Sequence, residues 1–261
     1  MIGIFDSGIG GLTVVRAVMD QLPGYDIVYF GDTARTPYGN KSSRTVVDYS
    51  LQNIQFLLDQ GAKLVVMACN TASSVATETV QAQFDLPIYE VITPAVNQSL
   101  AMSKKKAIGV IGTRATISSG VYERKIHEKV PDARVFSSPC PLLVPLVEEG
   151  WLKKPETRMI VKKYLHPLKI RQIDTLILGC THYPLLKPII AHKIGNKVSI
   201  IDSSMALAGE IRDFLNEHPE IDRELSKTGH SEFFVSDITP QFEKTARSVI
   251  KQNISLKHVS L

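Results

Sequence analysis

Two apolar runs of nearly the same design constrain this chain more than any other feature. Residues 64–73 read Leu-Val-Val-Met-Ala-Cys69-Asn70-Thr71-Ala-Ser, and residues 176–184 read Leu-Ile-Leu-Gly-Cys180-Thr181-His182-Tyr183-Pro184. Each has the length of a short buried strand and breaks, at a cysteine, into polar loop residues. The two cysteines stand 111 residues apart. In an open α/β sheet, ligands bind at the carboxyl ends of the strands. Two cysteines at two such ends predict a paired-thiol site that meets one substrate from both sides.

The rest of the chain fits that frame. Ile2–Phe5 reads as a strand, Gly8-Ile9-Gly10-Gly11 as a loop, and Leu12, Val15, Val18, Met19 and Leu22 as one face of a helix. Asp26–Phe30 is a strand, and Val47, Leu51, Ile54 and Leu58 mark a helix capped by Gly61. Lys63–Ala68 is a strand, 73–84 a helix and Ile88–Ile92 a strand. The pattern then restarts: Ile108-Gly109-Val110-Ile111-Gly112-Thr113 resembles Ile2-Gly3-Ile4-Phe5-Asp6-Ser7 at an offset of 106 residues. A helix over 121–130, a strand over 133–136, helices filling 142–168, and strands over 174–178 and 197–201 follow. Beyond Ser203 come a helix over 206–215, a polar stretch, a strand over 232–236 and a last helix over 240–251. Such alternation predicts mostly parallel sheets covered by helices. The expected architecture is α/β, with two similar units related by a pseudo-twofold axis and the active site in the cleft between them. Residues 1–97 plus 205–261 would form the first unit, carrying Cys69, and 98–204 the second, carrying Cys180.

Composition excludes several classes. At 44% hydrophobic and 21% charged, the chain matches ordinary globular proteins. Its net charge of +4 is scattered, with Lys104–Lys106 the longest basic run, so no nucleic-acid partner is expected. No segment approaches the apolar length of a membrane span, and the opening Met-Ile-Gly-Ile-Phe-Asp6 does not read as a signal peptide. Three cysteines are too few for a disulfide framework and point to a reducing cytoplasm.

Two thiols across a planar intermediate suit inversion of a carbon centre: one removes a proton and the other delivers one to the opposite face. Such chemistry needs no cofactor. His182 stands two residues after Cys180 and could tune that thiol. Asp6 ends the first strand, at the rim expected to hold Cys69, where it could accept a proton or bind an ammonium. Ser7 and the glycines up to Gly11 lead toward a helix N-terminus, which offers N–H groups to an anion. Asn70, Thr71 and Thr181 add polar groups beside the thiols, and Pro37-Tyr38-Gly39 is a turn able to close on the site. The glycine loop is no dinucleotide fingerprint, because Thr13 stands where its third glycine belongs. Zinc held by Cys69, Cys180 and His182 lacks an apparent fourth ligand, and a Cys69–Cys180 disulfide is the other competing use of these residues. Cys140, between two prolines, reads as a packed structural thiol, and His127 and His192 as surface residues.

Six segments, in order along the chain, resemble the cofactor-independent glutamate racemases of the aspartate/glutamate racemase superfamily. They are Ile4-Phe5-Asp6-Ser7-Gly8-Ile9-Gly10-Gly11-Leu12, Gly31-Asp32, Pro37-Tyr38-Gly39, Ala68-Cys69-Asn70-Thr71-Ala72, Pro145-Leu146-Val147-Glu148-Glu149-Gly150 and Gly179-Cys180-Thr181-His182-Tyr183-Pro184. The resemblance implies interconversion of L- and D-glutamate for peptidoglycan, without a cofactor or metal, by a homodimer of the bacterial cytoplasm. Cys69 would serve D-glutamate and Cys180 L-glutamate. Asp6, Ser7, Tyr38, Gly39, Asn70, Thr71, Thr181 and His182 match substrate-binding positions. Asp6 and His182 would also assist proton transfer, and Asp32 and Glu148 support it, with Glu149 competing for the role of Glu148. The chain opens directly at its first strand, so activation by a muramyl-peptide precursor, connected in some members with an N-terminal extension, is not expected. The competing readings are an aspartate or other amino-acid racemase of the same superfamily, and a non-catalytic amino-acid-binding protein.

Overall fold

The computed structural model describes residues 1–260. Its strands are β1 (Ile2–Asp6), β2 (Ile27–Gly31), β3 (Leu64–Met67), β4 (Ile88–Glu90), β5 (Ala107–Gly112), β6 (Arg134–Pro139), β7 (Thr175–Gly179), β8 (Ser199–Asp202), β9 (Ser231–Val235) and β10 (Leu256–His258). Its helices are α1 (Gly11–Gln21), α2 (Ser43–Asp59), α3 (Asn70–Gln83), α4 (Ile92–Met102), α5 (Arg114–Ser118), α6 (Val121–Lys129), α7 (Leu143–Glu148), α8 (Pro155–Ile170), α9 (Lys187–Ile194), α10 (Ser203–Glu217), α11 (Pro219–Glu224) and α12 (Pro240–Ile250).

The strands form two parallel sheets. One runs β10-β9-β2-β1-β3-β4 and the other β6-β5-β7-β8. Numbered from its own first strand, each unit has the order 2-1-3-4, with β9 and β10 added at one edge of the first sheet. The sequence repeat is therefore a repeat of topology, and it sets β3 and β7, the strands that lead into Cys69 and Cys180, in equivalent places. The neighbouring strand pairs β1/β3 and β5/β7 are the switch points of this topology, where loops diverge and leave a crevice.

One buried cluster spans both units, joining Ile2, Ile4, Leu12 and Val66 to Ile108, Val110, Ile177 and Ile201 through α1, α4 and α10. Two further clusters cover the outer sheet faces, one beneath α2 and α3 and one beneath α7, α8 and α9. This layering explains why α1 is buried well beyond the expected stripe, with Val14 and Ala17 covered as well as Val15 and Val18. Thr13 on α1 also bridges the units, its hydroxyl lying 3.1 Å from the Thr181 carbonyl and 3.0 Å from Ser204 Oγ.

The C-terminal segment returns to the first sheet, where β9 pairs with β2. Asp26 fastens this return: its carboxylate accepts from Ser226 Oγ at 2.6 Å, from the Thr228 N–H and hydroxyl at 2.8 and 2.9 Å, and from the His230 N–H at 3.0 Å. Burial opposes the charge, but these bonds outweigh it and hold the carboxyl well below the usual range.

Several elements differ from the sequence expectation. The strand expected to reach Ile92 ends at Glu90, because the Glu90 carboxylate turns to accept from the Ile92 and Thr93 N–H groups and caps α4. The expected unit boundaries at 97/98 and 204/205 fall within α4 and in the first turn of α10, so the chain crosses between units along helices. The helix expected from residue 73 begins at Asn70, with Cys69 at its N-cap. His127 is half-buried, its Nε2 lying 2.9 Å from the Ala133 carbonyl, rather than free on the surface.

Candidate active site

The register of β1 on β3 pairs Phe5 with Met67, and the Ala68 N–H donates to the Phe5 carbonyl at 2.9 Å. Asp6 and Cys69 therefore leave adjacent strands at one rim. In the second unit β5 pairs with β7 through Gly112 and Gly179, which brings Thr113 beside Cys180 at the matching rim. The two rims face each other around one cavity of about 20 Å3, lined by Ser7, Thr36, Pro37, Tyr38, Gly39, Cys69, Asn70, Thr71, Thr113, Val144, Cys180, Thr181 and His182. Both facing thiols are free and buried, 4% and 6% exposed, so the sequence alternative of a disulfide between them does not hold.

Glycines let the rims meet. A Cβ at Gly10 would stand 2.8 Å from the His182 backbone nitrogen, and one at Gly39 2.7 Å from Thr113 Cβ. The glycine loop is thus a point of close approach between units. The helix N-terminus behind it is not open to an anion from outside, contrary to the sequence expectation. Asp6 Oδ2 itself accepts from the Gly8 and Gly11 N–H groups at 3.0 and 2.9 Å, while Thr181 Oγ1 donates to Oδ1 at 3.2 Å. Burial nevertheless raises the Asp6 carboxyl above its usual range, against the pull of the His182 charge and these bonds.

The two thiols have opposite surroundings. Cys69 Sγ donates to Ser7 Oγ at 3.6 Å. Burial, and next the Asp6 charge, push its pKa up to about 12, with the Ala72 N–H and the Ser7 hydroxyl giving a partial offset. Cys180 Sγ lies 3.8 Å from His182 Nδ1, and His182 Nε2 lies 3.2 Å from Glu148 Oε1. Burial works against a charged His182, but its bonds to Cys180 and Glu148 prevail and raise its pKa to about 10. Glu148 closes α7, whereas Glu149 lies beyond the helix end and has no part in this relay.

The remaining candidates fall into place around this pair. Asn70 Nδ2 donates to Tyr122 Oη at 2.9 Å. Thr71 Oγ1 is 3.0 Å from Thr113 Oγ1, across the cleft. The Tyr38 ring lines the cavity, and its hydroxyl donates to Asp32 while receiving from Asn53 Nδ2 at 3.0 Å. Asp32 itself does not line the cavity. Its carboxylate is fully buried and taken up by Tyr38, by Arg35 Nε at 2.6 Å and by Ser236 Oγ at 3.1 Å. It fixes the Tyr38 loop, so any support it gives the reaction passes through Tyr38 rather than through contact with the cavity. Cys140 is packed away, its Sγ donating to the Ser138 carbonyl at 3.5 Å. Among the described residues, no group of three His, Cys, Asp or Glu side chains could hold a metal ion. Sequence reasoning passed over Thr113, although the internal repeat aligns it with Ser7 and so carried the signal.

Known proteins match this arrangement along the whole chain. Residues 13–211 match the family model described as Asp/Glu/Hydantoin racemase. The glutamate racemase of Persephonella marina is 47% identical over 260 residues, covering 100% of this chain and 97% of that protein. A glutamate racemase isoform of Bacillus anthracis superposes with a TM-score of 0.94 at 37% identity, covering 100% of this chain and 97% of that one. The Francisella tularensis glutamate racemase, solved with D-glutamate, gives a TM-score of 0.90 at 39% identity, with coverage of 99% and 97%.

Proposed function

The chain belongs to the Asp/Glu/hydantoin racemase family, and from that premise we propose that it interconverts L- and D-glutamate by proton transfer between two thiols. The observation that carries this reading is the pair of buried cysteines, from equivalent strand ends, lining one cavity with unlike neighbours.

The geometry suggests a starting state. Cys180 is the base of the proposed reaction, with His182, which keeps its proton to about pH 10, as the counter-charge beside it, while Cys69, with a pKa of about 12, holds its proton. In that state Cys180 takes the Cα proton of L-glutamate, the carbanion flattens, and Cys69 donates its proton to the opposite face. This yields D-glutamate, a Cys180 thiol and a Cys69 thiolate. The starting state returns when Cys69 regains a proton and Cys180 loses one, and the reverse reaction runs the same steps backwards. Asp6, raised toward neutrality and set beside Cys69, is the group suited to return a proton to the Cys69 thiolate once its own has gone to the substrate, and to take the thiol proton before the reverse reaction begins.

The polar residues of the rims hold the substrate: Ser7, Asn70, Thr71 and Thr181 around the reacting carbon, and Tyr38 with Gly39 on the closing loop. A cavity of about 20 Å3 holds little more than one water molecule. Glutamate therefore enters only when the cleft opens, and the closed form excludes water from the carbanion. No helix among the described residues is long and apolar enough to cross a membrane. Service to peptidoglycan synthesis, a cytoplasmic setting and a homodimer belong to the same reading.

The test is circular dichroism of separate L-glutamate and L-aspartate solutions, with enzyme and no added cofactor. The reading predicts decay of the glutamate signal to zero, with aspartate turned over far more slowly. Faster decay for aspartate would replace the substrate, and no decay for either would favour a binding protein.

A further inference from the structure

Thr36 was not among the residues expected at the site, yet its side chain raises a question the proton-transfer machinery leaves open. The cavity must hold a molecule with two carboxylates, and among the described residues no lysine or arginine lines it. The carboxylates therefore have to be held by neutral donors. Most lining hydroxyls already have a protein partner: Ser7 has Cys69, Thr71 and Thr113 have each other, Thr181 has Asp6 and Tyr38 has Asp32. The Thr36 hydroxyl differs. Its oxygen is buried and has no hydrogen-bond partner among the described residues. The other buried side-chain atom in that condition is Asn70 Oδ1, also in the cavity wall.

A buried polar group left unpaired is costly, and the cost is removed when a ligand supplies the partner. The two orphaned atoms are complementary to an amino acid. The amide oxygen can only accept, which suits an ammonium, and the threonine hydroxyl can donate, which suits a carboxylate. We infer that Thr36 is a substrate-binding residue whose hydroxyl donates to a carboxylate of the substrate. The inference rests on the racemase reading and extends it to a residue of no assigned role. Thr36 reaches the cavity because it immediately precedes the Pro37-Tyr38-Gly39 turn. It packs over Gly8, where an added Cβ would lie 3.1 Å from Thr36 Oγ1. It also borders a neighbouring cavity of about 240 Å3 that contains Glu149 and Gln241, so its orientation on substrate binding is open to direct test.

The experiment compares wild type with Thr36→Val, which keeps the shape and removes the hydroxyl, and Thr36→Ser, which keeps the hydroxyl. Steady-state racemisation of L- and D-glutamate is measured for each, alongside thermal melting. Racemisation by the wild type establishes the underlying reading first, and its absence would overturn that reading rather than this inference alone. With the wild type active, Thr36→Val should raise KM about tenfold in both directions and leave kcat within about threefold. Thr36→Ser should restore KM to near the wild-type value. An unchanged KM in Thr36→Val would overturn the inference and place the hydroxyl toward the neighbouring cavity. Equal impairment of both variants would overturn it as well, by showing that shape rather than the hydroxyl matters. A melting temperature shared by all three proteins separates either result from misfolding.

Discussion

The Cys69 rim and the Cys180 rim share a topology and differ in charge. Each thiol follows the third strand of a 2-1-3-4 parallel sheet, and each lies buried against the same cavity. Around Cys69 stand a hydroxyl and a buried carboxylate, and its pKa is pushed up to about 12. Around Cys180 stands an imidazole, with a glutamate behind it, and its bonds to Cys180 and Glu148 outweigh burial and hold its proton to about pH 10. In the proposed reaction the repeated fold supplies symmetric reach toward the two faces of one carbon. The unlike side chains supply the asymmetry by which that reading has one thiol begin as acid and the other as base. A reaction without net redox change or cofactor needs both properties: matched geometry, and a proton displaced to one side.

The largest effect should come from removing either thiol. Cys69→Ser and Cys180→Ser should each lower racemisation by about 1,000-fold or more, since one-sided transfer cannot invert the centre. In D2O, Cys69→Ser should exchange the Cα hydrogen of L-glutamate alone and Cys180→Ser that of D-glutamate alone, as read by NMR. Exchange of both enantiomers by either variant would break the comparison.

Next come the neighbours that set the charge. Enantiomers in water have equal free energy, so kcat/KM must be the same in both directions for every variant. The asymmetry must show in kcat and KM separately. His182→Asn should lower kcat from L-glutamate by about 100-fold, and more than from D-glutamate, with Asp6→Asn showing the reverse preference. Equal losses in both directions would mean that these residues serve binding geometry only.

A finer test concerns pH. His182 is held protonated, against burial, by its bonds to Cys180 and then Glu148, so the rate from L-glutamate should fall as pH rises through about 10. Glu148→Gln removes an acceptor of the charged imidazole, lowers the pKa of His182 and moves that alkaline limb to lower pH. A limb that stays in place would separate Glu148 from the relay. Smaller still, Asp32→Asn should raise KM about threefold by loosening Tyr38 while leaving the pH profile alone. Cys140→Ser should leave both directions unchanged in the circular-dichroism assay, because its hydroxyl can donate to the Ser138 carbonyl as the thiol does.

Much of this contrast was legible in the chain. The two thiols, His182 and Asp6 all sit at strand ends marked by a switch from apolar to polar residues. The alternation of patterns, with its restart at Ile108, announced the two sheets. What escaped was tertiary in origin. The glycine loop looked like an anion site because local sequence does not show that Asp6 occupies the helix N-terminus. The first turn of α3 carries polar residues that face the cleft, so no apolar stripe marked its start, and its cap is a cysteine rather than a usual capping residue. How Asp32 gives its support was unread, because its partners Tyr38, Arg35 and Ser236 come together only in the fold. The short edge strand β10 was unread, since three residues carry no periodicity.

The central claim is that two separate thiols handle two separate protons. The most direct measurement is the early time course of L-glutamate turnover in D2O, with both enantiomers separated and their Cα deuterium content determined. The account predicts that the first D-glutamate formed carries solvent deuterium at Cα, delivered by Cys69, while the remaining L-glutamate is still largely protiated. D-glutamate that retains the substrate's own proton would show a single base working on both faces, and would contradict it.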